Sequence, residues 1–140
     1  MNQRNFPTHG ELNLSVDGQL LIIDGAGPAN LEMVLKYQRS VIGYREQIMH
    51  APWASLVLLH GMPLVPPEAK IILSETIKKA KTMHLQATAV VLVEVEFADV
   101  VKGFWNEIYQ DAGVRYRFFD TEQQARHWLA DILSHPDPNC

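Results

Sequence analysis

Two almost continuously apolar runs constrain this chain more than any other feature. One is Trp53–His60, and the other is Ala87–Val95, interrupted only by Thr88 and Glu94. A strand with one wet face alternates apolar and polar residues. A run without alternation fits a strand covered on both faces, which is the situation in a parallel sheet flanked by helices. Neither run reaches the ~20 residues that cross a bilayer. Apolar residues at helical spacing follow each run, so strands and helices alternate along the chain. That alternation predicts a mostly parallel sheet with right-handed connections.

The remaining elements follow from punctuation and period. Leu12, Leu14 and Val16 alternate with polar residues, Asp17-Gly18 interrupts, and Gln19–Ile23 resumes, which predicts a hairpin around a two-residue Asp-Gly turn. The breaker cluster Asp24–Asn30 predicts a loop. Asn30 then caps a first helix that runs to about Met49, with Leu31, Val34, Leu35, Gln38, Val41, Ile42 and Ile48 as its stripe. Beyond the strand at 53–60, residues 61–65 form a loop. Pro66-Pro67-Glu68 opens a second helix, where proline's missing N–H costs nothing and Glu68 complements the dipole. Ala69, Ile72, Leu73, Thr76, Ile77 and Ala80 are its buried stripe, and Lys78, Lys79, Lys81 and His84 close it. After the strand at 87–93 comes a third helix with the stripe Phe97, Val100, Val101, Phe104, Trp105, Ile108 and Tyr109, stopped by Asp111-Ala112-Gly113. Arg115–Phe119 is the last strand. Asp120 or Thr121 caps a last helix, with Gln124 three residues after Thr121 completing a capping box, and that helix buries Ala125, Trp128, Leu129, Ile132 and Leu133. The order is β-β-α-β-α-β-α-β-α. It predicts one α/β domain over residues 11–134, with a mixed, mostly parallel five-stranded sheet and about four helices, between flexible ends at 1–10 and 135–140.

Composition excludes several classes. At 140 residues the chain suits one core. A net charge of −4 argues against nucleic acid, which is bound by clustered Lys and Arg. The lone cysteine, Cys140, cannot staple the fold, which points to a reducing compartment. Residues 1–10 are polar and lack the apolar core of a signal peptide. The expected location is the cytoplasm.

The segment Val114–Leu129 carries a resemblance. An aromatic strand meets Asp120 and then a helix with an Ala125-x-x-Trp128-Leu129 step, and this is similar to the ending of SpoIIAA-like proteins in the STAS domain superfamily. Residues Leu21–Leu31 add weaker similarity, and Ala51–Leu59 matches in type. The likeness spans nearly the whole chain in organisation and is specific over 114–129. It implies a small five-stranded sheet with helices mainly on one face. It does not imply one chemistry, because STAS domains include phosphorylatable anti-anti-sigma factors, transporter tails and sensor modules. The SpoIIAA-like branch is largely uncharacterised. Its similarity to CRAL-TRIO folds implies lipid binding and association with the inner face of a membrane.

Each candidate site is weighed on its residues. A phosphorylation switch needs a hydroxyl at the start of the second helix, and Leu64–Ala69 supplies two prolines and Glu68 instead, so no phosphorylation is expected there. The stretch Gly25-Ala26-Gly27-Pro28 lies between a strand and a helix, but it has no third glycine and no Lys-Ser/Thr pair to hold a phosphate. The six histidines (His9, His50, His60, His84, His127 and His135) show no metal-ligand spacing. Only His60, at the end of the central strand, stands where α/β folds place ligands, and no carboxylate is close to it in sequence. The third helix is different. Phe104 and Trp105 are about 100° apart on the helix and cannot share one contact line. Phe97, Val101, Phe104 and Trp105 either pack on the sheet or line a pocket facing Met62, Leu64 and Val65, with His60 at its edge. The reading is a non-enzymatic binding module without cofactor, metal or catalytic residues, for a small apolar or lipid-like ligand. The alternative is a STAS-like protein-interaction module; an enzyme is third, with His60 as its one candidate, and needs a carboxylate or hydroxyl within hydrogen-bond reach of that ring. Candidate partners are that ligand, a protein, a second copy of the chain and a membrane face, and nucleic acid is not among them.

Overall fold

The computed structural model describes residues 10–136; residues 1–9 and 137–140, which include most of the expected flexible ends and Cys140, lie outside the described residues. Nine elements follow the expected order. They are β1 Glu11–Asp17, β2 Leu20–Gly27, α1 Leu31–Glu46, β3 Trp53–Gly61, α2 Pro67–Lys81, β4 Leu85–Val95, α3 Ala98–Ala112, β5 Tyr116–Phe119 and α4 Glu122–Ser134. The strands form one sheet in the order β1-β2-β3-β4-β5. The β1–β2 pair is antiparallel, and the three pairs that follow are parallel.

This sequential order decides where the helices sit. Moving always in one direction across the sheet, right-handed crossovers must place each connecting helix on the same face. Accordingly α1, α2 and α3 share one core, in which Val34, Val41, Leu73, Val101, Trp105 and Ile108 meet Leu21, Val57, Leu59 and Val90. No strand follows α4 among the described residues, so no crossover constrains it, and it covers the opposite face. There Ala125, Leu129 and Ile132 pack on Ala54, Leu56, Ala87, Ala89 and Val91.

Helix ends follow local chemistry. The Asn30 side chain accepts the Met33 N–H at 2.8 Å, and the Thr121 hydroxyl accepts the Gln124 N–H at 3.2 Å. Side chains of this kind each contribute about 1 kcal/mol to a helix start. Gly113, at φ 74°, ends α3 in the left-handed conformation that suits glycine.

Three sequence expectations need correction. The hairpin turn is Gly18-Gln19 rather than Asp17-Gly18, because Asp17 pairs with Leu20 and Gly18 carries the positive φ of 62°. The cluster Asp24–Gly27 is strand rather than loop. Neighbours on both sides hold it in the sheet, with Ala26 opposite Glu11 and Gly27 opposite Gly61. Glycine is required at 27, since a Cβ there would lie 2.2 Å from the Met62 carbonyl oxygen. Finally, α1 stops at Glu46, and turns cover the stretch to His50.

Candidate functional site

The core under α1, α2 and α3 is not closed. A cavity of about 110 Å³ lies between these helices and the sheet. The inward residues of β3, Trp53, Ser55, Val57 and Leu59, all line it, so it runs along that strand for about 20 Å at the usual rise per residue. A volume this small spread over that length makes a slender channel. Its other walls are mostly apolar: Leu21 and Ile23 from β2, Val34 and Val41 from α1, Leu73 and Ile77 from α2. At the carboxyl end of the strands the lining residues Ala26, Gly27, Ala29, Met33 and Val65 are all partly exposed, and the channel opens there. At the other end the Gln19 amide donates to the carbonyls of Ile48 and Pro52, both at 3.0 Å, and fixes the chain beneath.

Two tryptophans keep the channel from collapsing. Trp53 Nε1 donates to the Met83 carbonyl at 2.6 Å, and Trp105 Nε1 donates to the Pro63 carbonyl at 2.8 Å. A buried indole whose N–H is satisfied cannot swing inward without losing that bond. Trp105, Tyr109 and Tyr116 continue as a row of rings at centroid separations of 5.9 and 5.2 Å.

The polar groups on the channel are few. Ser55, Thr76 and Thr88 are buried hydroxyls, and the Thr76 hydroxyl donates to the Ile72 carbonyl at 2.8 Å. Tyr37, Tyr109 and Arg45 also line the channel. Burial pushes the Tyr37 phenol up to about 12, against a smaller opposing pull from the Arg45 charge. Burial raises Tyr109 as well, and the nearby Tyr37 adds to it. Both therefore stay protonated and available as donors across the neutral range.

The residues expected to form a site from the sequence are only partly brought together. Val65 and Trp105 line the channel, and Trp105 is tied to the 61–67 loop through Pro63. Met62 and Leu64 belong to that loop without lining the channel, and Leu64 holds it by accepting the Ala29 N–H at 3.1 Å. Val101 is fully buried among core residues. Phe104 is partly buried, edge-on to Trp105 at 5.6 Å, with the Lys70 ammonium 5.2 Å from its ring centre. Phe97 is not in the helix stripe. It precedes α3 with φ 53° and is 66% exposed, and Val100 is 60% exposed. The helix begins at Ala98, so both project away from the sheet.

His60 is on the other face. Side chains alternate along a strand, and Leu59 joins the α1–α3 core while Leu58 packs in the α4 core, which sends His60 to the α4 side. There its Nε2 lies 2.9 Å from Asp24 Oδ1, with the side chains 35% and 44% exposed. Sequence separation hid this carboxylate, because the adjacent strand β2 delivers it. The pair supplies a base and its orienting acid. Among the described residues no serine, threonine or cysteine is hydrogen-bonded to it, and no group of three or more His, Cys, Asp or Glu could hold a metal ion.

Sequence reasoning missed Arg45, Tyr37 and the underside of α1. A signal was present: Arg45 falls in phase with Val34, Val41 and Ile48, a charged residue on an apolar stripe. Ile42, assigned to that stripe, is instead exposed.

A solved structure resembles the whole arrangement. It is an uncharacterized protein of the DUF3478 family with a SpoIIAA-like fold from Shewanella loihica PV-4, which superposes with a TM-score of 0.57 over 91% of this chain and 99% of that one, at 10% identity. The fold is therefore SpoIIAA-like, as the ending of the sequence implied. No protein-family model and no curated protein matches the chain. No helix among the described residues is long and apolar enough to cross a membrane.

Proposed function

We propose that this chain is a non-enzymatic binding module that takes a small apolar ligand into the channel beneath α1. The observation that carries the reading is the channel itself, held open by two anchored tryptophans. Its volume is comparable to an engineered cavity of ~150 Å³ that stays dry and takes up benzene. That size suits a short ring or a single alkyl chain rather than a whole lipid. Native mass spectrometry of gently purified protein, together with thermal melts in the presence of decanol, tests this. Copurified mass or a raised melting temperature supports it, since a ligand bound only by the folded state stabilises that state. A bare chain whose melting is unmoved by decanol overturns it.

A second reading is a protein-interaction module, favoured by the exposed Phe97 and Val100 at the start of α3. A stoichiometric partner that is lost on Phe97→Ser would support it. Vesicle flotation of the same variant tests whether those side chains meet a membrane surface instead.

A further inference from the structure

The polar end of the channel carries more information than its walls. Arg45 is only 5% exposed. Its buried Nε has no hydrogen-bond partner, and Arg45 forms no salt bridge to a carboxylate among the described residues. Arg45 lines the channel together with Trp53 and Leu85, the first residues of β3 and β4. It stands in the last turn of α1, whose carbonyl ends offer a partial negative charge. That falls well short of a full counter-ion, and an uncompensated buried charge is among the most costly groups a fold can hold. Tyr37, two turns earlier on the same helix, also lines the channel and carries a hydroxyl donor.

We propose that the ligand is an organic anion, an unbranched alkyl carboxylate whose chain lies along β3 and whose carboxylate meets Arg45 with help from Tyr37. This deepens the binding-module reading and depends on it. The class follows from two features together. A slender apolar channel selects a single chain. A planar guanidinium offers paired N–H donors that fit a carboxylate, and such charge-assisted bonds are about twice as strong as neutral ones. The same charge argues against a neutral alcohol or a cationic amphiphile as the natural occupant.

The test uses the full chain and two probes of equal length, decanoate and decanol, titrated by calorimetry. The wild-type protein is expected to bind decanoate about tenfold or more tightly than decanol. Arg45→Met, which keeps the side-chain bulk, is expected to abolish that preference while decanol still binds. Equal affinities for the two probes in the wild type, or a preference that survives in Arg45→Met, overturn the carboxylate assignment and leave the channel reading intact. If neither probe binds, both fall. Should Arg45→Met fail to fold by circular dichroism, the wild-type comparison decides alone. Tyr37→Phe, which leaves the guanidinium in place, is expected to weaken decanoate a few-fold and decanol not at all. Decyl phosphate as a third titrant separates a carboxylate site from a general anion site: binding tighter than decanoate overturns the assignment to carboxylates.

Discussion

The two faces of the sheet are packed by opposite means. On the α4 face the residues at the centre of the contact are small: Ala54, Ala87, Ala89 and Ala125 are all fully buried, with Leu56, Val91 and Leu129 filling between them and the rings of Phe119 and Trp128 only partly buried beside them. Small residues let a helix approach the sheet closely. On the other face, Trp53, Trp105 and Tyr109 stand between helices and sheet, and the space beside them is the channel. Both faces exclude water from most of their area, so hydrophobic burial alone does not distinguish them. What separates them is whether bulky, hydrogen-bonded rings prop the layers apart. The apolar channel in this protein is thus a property of one face, placed where charge and hydroxyl groups also gather.

Mutations and pH can break that contrast. The largest effect is expected from Leu129→Ala. Its side chain is fully buried against alanines that cannot expand to fill the gap, so the loss should be about 2–5 kcal/mol in urea unfolding. A loss below that range would mean that the α4 face is as loose as the other. Alkaline pH should probe the channel face next. Tyr37 and Tyr109 both have raised values in the fold, so the folded state favours their neutral forms. Their contribution is complete below the unfolded tyrosine value of ~10 and is lost as pH climbs through the folded value of Tyr37. Thermal midpoints should fall between pH ~10 and about 12, less steeply in Tyr37→Phe. A flat profile there would show that water reaches these rings freely.

Smaller still is the response to added bulk. Ala89→Val should cost about 1–2 kcal/mol by overpacking under α4, whereas Val57→Leu should cost less than ~1 kcal/mol because the channel accepts the extra carbon. If both cost the same, the channel is already filled or cannot yield. The smallest effect is expected at the exposed pair: Asp24→Asn should change stability by less than ~1 kcal/mol, as half-exposed ion pairs do.

Much of the fold was legible because its signals are local. Nearly uninterrupted apolar runs marked β3 and β4, Pro67 and Asn30 marked helix starts, and Gly113 marked a stop. The errors came where long-range pairing overrode local preference. Asp24–Gly27 reads as breakers, yet two neighbouring strands supply its backbone partners, and only a residue without Cβ fits beside Met62. The site was less legible for the same reason. Phe97 kept helical spacing with residues it never joins, because the chain turns through a left-handed conformation before Ala98. His60 met its carboxylate from another strand. Arg45 was visible in phase with Val41 and Ile48, but spacing alone does not say that a charge stays inside without a counter-ion.

The solitary position of α4 has a consequence for biosynthesis. Every other helix is laid on the sheet between two strands it connects, so the channel face is roofed as the chain grows. The opposite face, with Leu56, Ala89 and Val91, stays bare until residues 122–134 have left the ribosome. A nascent chain stalled before Glu122 presents a finished apolar sheet surface with nothing on it, which is the form most exposed to chaperone capture or aggregation.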